Sequence, residues 1–216
     1  MLRRRTTLRW FDIATVTAVM FGGHIVASTS ALLKGGATPD VSFDSASNIG
    51  AGLQQAGLLA ASVGYLALRR CDFGQWKLRP TWKGTLQGAG IFLAVGAGFD
   101  AYYLLLQQFM DVGGGDGTRP PIDATLLGYS VLNATYEELF FLGVCLAVAA
   151  RHRLAYSLAV RFSFHTYMGL PTAAAIGLGA GLAYYAAYQR LGTLYPLIVA
   201  HALADIFGSS ALGLLY

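Results

Sequence analysis

Residues 124–150 read ATLLGYSVLNATYEELFFLGVCLAVAA, an apolar run of membrane-spanning length that carries two adjacent acids, Glu137 and Glu138. A helix rising about 1.5 Å per residue needs about 20 such residues to cross roughly 30 Å of hydrocarbon. Comparable runs lie before and after it, at about 10–33, 49–68, 84–110, 154–170, 173–189 and 193–215. The pattern predicts an all-α, polytopic membrane bundle of about seven helices, with residues 1–216 forming a single transmembrane domain. Composition agrees. The chain is 55% hydrophobic and 12% charged, with mean hydropathy +0.52, whereas soluble domains carry about 25% charged residues.

The net charge of +4 and pI near 9.1 do not point to nucleic acid, because no basic stripe interleaved with aromatics is present. The cations instead fill short loops between apolar runs. Twelve Lys and Arg residues, among them Arg9, Arg69, Arg70, Lys77, Arg79, Lys83, Arg151, Arg153 and Arg190, fall in one set of loops. The other set holds only Lys34 and Arg119. The positive-inside rule then sets the N-terminus in the cytoplasm and the C-terminus outside. The stretch after Met1-Leu-Arg-Arg-Arg is too long for a signal-peptide core and reads as a retained first span. Gly113–Gly115 and Pro120-Pro121 mark a flexible connector from Asp111 to Asp123. Gly169-Leu170-Pro171-Thr172 reads as a tight hairpin between the fifth and sixth spans. Cys71 and Cys145 fit no disulfide or metal pattern.

Ionisable groups at bilayer depth are costly and are functional candidates by default. His24, Asp100, Glu137, Glu138, Arg161, His165, His201 and Asp205 all fall inside spans. Counted from the basic ends of their spans, Glu137 lies about 20 Å deep, His165 about 16 Å, His201 about 12 Å and Asp205 about 18 Å. Three spans thus bring an acid, a histidine and a His/Asp pair into one slab. His201 and Asp205 are spaced i, i+4 and share a face, while Glu137 and Glu138 point in different directions. Such a set can activate water and stabilise an oxyanion, ligate a metal, or relay protons. Asp100 and His24 read as hydrogen-bonding glue between helices, and Tyr184, Tyr185 and Tyr188 as packing or interface aromatics.

Glu137-Glu138-Leu-Phe-Phe-Leu-Gly143 resembles the Glu-Glu-x-x-x-Arg motif of the CAAX protease and bacteriocin-processing (CPBP, or Abi) family. The stretch from Arg190 to Asp205 resembles that family's last motif, His-x-x-x-Asn/Asp, and His165 falls where its middle motif, Phe-x-x-x-His, belongs. The resemblance spans about 126–207. It implies a glutamate-type intramembrane endopeptidase in which Glu137 activates water and His165 helps hold it. It further implies that His201 and Asp205 stabilise the oxyanion. An ionised Asp205 cannot donate to an oxyanion, so it must be protonated or must orient His201 instead. Two positions depart from the family pattern. The motif Arg is Leu142, and the motif Phe is Arg161. The expectation is that Arg161 supplies the missing cation to Glu138 from the neighbouring helix. The alternative is that it snorkels to the cytoplasmic interface.

The expected partners are the lipid bilayer and a membrane-anchored or lipidated protein or peptide, cleaved near its C-terminus. Prenylated tails, bacteriocin leaders and C-terminal sorting tails fit equally. The expected location is the bacterial cytoplasmic membrane. No cofactor is expected, since no HExxH occurs and the resemblance implies metal-free catalysis; a zinc or iron version would use the same residues. The loss of the motif Arg also admits a catalytically silent scaffold. A proton-coupled transporter finds little support in so short a chain without inverted repeats.

Overall fold

The computed structural model describes residues 8–34, 44–109, 121–148 and 151–211. Arg3–Arg5, the connector residues 111–120 and the last residues 212–216 lie outside these. Eight α-helices follow in order: α1 Trp10–Leu33, α2 Ser45–Leu68, α3 Trp82–Leu106, α4 Ala124–Glu138, α5 Arg153–His165, α6 Leu170–Ala174, α7 Gly181–Leu191 and α8 Tyr195–Phe207. Among the described residues the only β pairing is one isolated bridge between Leu8 and Val148. Five segments are long and apolar enough to cross a membrane: α1, α2, α3, Ala124–Ala147 and Leu170–Leu191. The shorter apolar α8 and the polar α5 bring the count near seven. This is an all-α, multi-pass membrane bundle.

Helix starts follow local chemistry. Asp44 accepts from Ser47 N, Thr81 from Gly84 N, and Asp123 from Thr125 N and Leu126 N, each satisfying backbone donors that a first turn leaves unpaired. The Leu126 amide and the Thr125 and Ser45 hydroxyls hold the Asp123 carboxyl down at about 2. At the basic end, Asp12 accepts from Tyr65 Oη and Arg69 Nε, both at 2.7 Å, and so ties α1 to α2.

The fourth span is the axis of the bundle: 78% of its apolar window is buried, against 17–28% for the first three, whose outer faces meet lipid. It packs on α2 and α8; α3 packs on α8, and α5 lies against α1 and residues 175–180. Tight approach depends on glycine. A Cβ at Gly88 would sit 2.6 Å from Pro196 O, and one at Gly177 would sit 2.5 Å from Phe162 Cα. Phe21 centres an aromatic cluster with Tyr136, Phe140, Phe141 and Phe164.

Three expected boundaries change. The span read as 124–150 is not one regular helix. It passes after Glu138 into a π-helical turn, Leu139–Val144, and then a 3-10 turn, Cys145–Ala147. A π turn loosens the i→i−4 ladder, and Ser157 Oγ donates to Phe141 O at 2.8 Å from the facing helix. The last helix begins at Tyr195 and ends at Phe207, where Gly208 takes φ +83°, so 193–215 was too long. The hairpin before α6 lies one turn earlier than expected, in a 3-10 turn at Thr166–Met168 closed by Gly169 at φ +86°. Pro171 sits in the first turn of α6, where a missing N–H costs nothing.

Candidate active site

Glu137 and Glu138 end the regular part of α4, and their divergence gives them different neighbours. Glu138 is fully buried. Arg161 Nη2 donates to both of its carboxylate oxygens at 2.8 Å, and His201 Nδ1 lies 2.7 Å from Oε1. The Arg161 guanidinium also lies over the Phe141 ring, 4.2 Å from its centroid, and is 2% exposed. Arg161 therefore does not snorkel. It spends its charge on Glu138, while Leu142 is apolar and buried. A buried charge pair of this kind holds only with both partners present.

Glu137 turns the other way, toward a cavity of about 690 Å³ lined also by His165, His201, Asp205 and Asn133. Its Oε2 is buried with no hydrogen-bond partner among the described residues. It lies 4.0 Å from His201 Nε2, and that same nitrogen is 3.5 Å from Asp205 Oδ1. Both separations exceed a direct hydrogen bond, and both converge on one imidazole nitrogen. Because Nδ1 faces the Glu138 carboxylate, which only accepts, it carries a proton and Nε2 is left to serve the cavity.

His165 ends α5. Its Nδ1 lies 2.7 Å from Arg161 O; a carbonyl accepts, so Nδ1 holds the proton and Nε2 of the neutral ring is an acceptor. Arg161 therefore serves two neighbours. Its side chain holds Glu138 and its backbone carbonyl sets the tautomer of His165.

Of the eight ionisable residues read inside spans, the six assigned to the site (Glu137, Glu138, Arg161, His165, His201 and Asp205) meet at this centre. Sequence reading missed two amides. Asn133, one turn before Glu137 on the same face of α4, donates from Nδ2 to Asp205 Oδ2 at 2.9 Å. Gln55 Nε2 in turn donates to Asn133 Oδ1 at 2.7 Å from α2. The available signal was the i−4 spacing of Asn133 from Glu137 and the depth of Gln55; neither carries charge, so neither stood out. Asp205 thus accepts from an amide on one oxygen and faces His201 with the other. Of the remaining polar residues, His24 borders the cavity and packs edge-on to Phe164. Asp100 accepts from Ser210 Oγ. Tyr184, read as packing, lies beside both Arg161 and His201. Among the described residues no group of three or more His, Cys, Asp or Glu is arranged to hold a metal.

Fold and site together define a membrane-embedded helical bundle with a buried acid–histidine centre facing a cavity. Residues 121–207 match the family model described as Rce1-like, Type II CAAX prenyl endopeptidase Rce1-like. The match encloses every site residue except Gln55 and agrees in kind with the CPBP resemblance. Neither the curated proteins nor the solved structures contain a match to the chain.

Proposed function

We propose that the chain is an intramembrane endopeptidase that cleaves near the C-terminus of a membrane-anchored or lipidated protein, with water activated by Glu137. The observation that carries this reading is the contrast between the two glutamates. Glu138 is fully engaged by Arg161 and His201, while Glu137 presents an unpartnered buried oxygen to the cavity. In the proposed reaction one water donates a proton to Glu137 and a hydrogen bond to His165 Nε2. Its oxygen attacks the peptide carbonyl carbon, and the resulting oxyanion accepts from the Nε2–H of a doubly protonated His201, whose Nδ1–H stays on Glu138. Collapse breaks the C–N bond, and the proton taken by Glu137 passes to the leaving amine. Asp205, already accepting from Asn133, orients His201 in this scheme rather than donating. Residues 1–216 act as one transmembrane unit of the bacterial cytoplasmic membrane, N-terminus inside, with the catalytic core at about 126–207.

The test is cleavage of a membrane-tethered reporter by the protein in lipid vesicles. Glu137→Gln is expected to lower turnover by about 10²–10⁴-fold while leaving the protein folded, and a chelator is expected to leave turnover unchanged. Equal cleavage by wild type and Glu137→Gln rejects the assignment. A silent scaffold predicts instead a cellular phenotype that survives Glu137→Ala; the cation supplied to Glu138 by Arg161 favours the peptidase.

A further inference from the structure

Among the described residues the cavity's lining lies toward one end of the bundle, and the charge distribution identifies that end. Of the described Lys and Arg residues, Arg9, Arg69, Arg70, Lys77, Arg79, Lys83, Arg151, Arg153 and Arg190 cluster where α1, α3, α5 and α8 begin and where α2 and α7 finish. Only Lys34 lies at the opposite end, with the acidic caps Asp44 and Asp123. By the positive-inside rule the basic end is cytoplasmic.

Between Glu138 and that basic end the bundle is filled. Phe140, Phe141, Leu142, Trp76, Leu194 and Leu197 are all buried. Trp76 seals the floor: its indole lies against Gly143, and its carbonyl accepts from Leu194 N at 3.1 Å. The cavity instead runs the other way. Its lining comes from the late turns of α1 (Ser28) and α8 (Phe207), and from the second turns of α2 (Ala51) and α4 (Tyr129). It reaches Met168 in the 3-10 turn after α5 and the exposed Ser209 beyond α8.

We infer that substrate reaches Glu137 from the extracytoplasmic side, so that the polypeptide cleaved is an exported one, anchored in the membrane with its scissile bond in the outer half of the bilayer. A tail held on the cytoplasmic leaflet would meet the sealed, basic floor. This inference rests on the peptidase reading for its substrate but not for the side of the opening.

Two measurements separate the two. In spheroplasts, Ser209→Cys is expected to react with a membrane-impermeant maleimide, and Lys83→Cys only after permeabilisation; burial pushes the native Cys71 thiol up and keeps its background labelling low. Two tethered reporters of identical peptide sequence, one exported and one facing the cytoplasm, are then expressed with wild type and with Glu137→Gln. Glu137-dependent cleavage is expected for the exported reporter alone. Labelling of Ser209→Cys only after permeabilisation overturns the inference whatever the activity, as does cleavage of the cytoplasmic reporter alone. External labelling with neither reporter cleaved establishes the opening but overturns the peptidase reading and the exported substrate with it. A Ser209→Cys protein that misfolds is replaced by Gln54→Cys, with the same expectation.

Discussion

Arg161 stands where two kinds of constraint meet, a buried carboxylate that needs a cation and a histidine that needs its tautomer set. Replacing it with Leu leaves Glu138 charged and buried with His201 as its remaining partner and without its guanidinium, an expected loss of about 3–5 kcal/mol. This is measurable as a lowered unfolding midpoint and should come with loss of activity. The paired exchange Arg161→Phe with Leu142→Arg should recover part of the activity; full activity in Arg161→Leu alone sinks the assignment. Asn133→Leu is expected to remove the donor to Asp205 and cost about 1–3 kcal/mol, together with turnover. Asn133→Gln is the weaker test, since its amide is displaced by one methylene. The charged members of the centre were legible in the sequence because charge at depth is rare. The amides Asn133 and Gln55 were not, because a neutral polar residue in a span is more often plain helix–helix glue.

At the scale of elements, boundaries are set by close approach and by capping. Gly177→Val would drive a side chain into the Phe162 backbone and push α5, with Arg161 and His165, off its partner. The expected result is loss of activity together with a lower unfolding midpoint, by overpacking of about 1–3 kcal/mol or more. The Asp123 cap gives a pH-dependent effect of known sign. Its folded value is depressed to about 2, so its stabilisation is present above the unfolded value near 4 and is lost as pH falls toward 2. Asp123→Ala should therefore lower the midpoint at pH 7, and the gap to wild type should narrow below about pH 4. A gap that is constant with pH rejects the cap charge as the cause. Span existence was legible from hydropathy, but the ends were not. Hydropathy continues smoothly through Leu139–Ala147 although the helix changes type there. It also gives no warning that Gly208 stops α8.

For the molecule as a whole, the sequence gives the bundle and its charge asymmetry directly, because both are sums over many residues. The direction in which the cavity opens needs the packing, since Trp76 reaches the floor from the loop between α2 and α3, far away in sequence. The same asymmetry predicts that a phosphatase reporter fused after Met1 stays inactive. Active phosphatase there would reverse the orientation of every helix and of the opening with it.

The π turn after Glu138 bears on how this chain is compared with others letter by letter. A π turn accommodates one residue more than an α-helix over the same rise, so Leu142, four residues after Glu138, is displaced from the place a regular helix would give it. An arginine substituted there would emerge rotated away from Glu138, which is why the exchange with Arg161 should restore only part of what is lost. Deleting one residue between Leu139 and Val144 should return the helix to regular pitch. It would also swing Phe141 O away from Ser157. Counting letters through Leu139–Val144 therefore misplaces side chains by the extra residue of the turn.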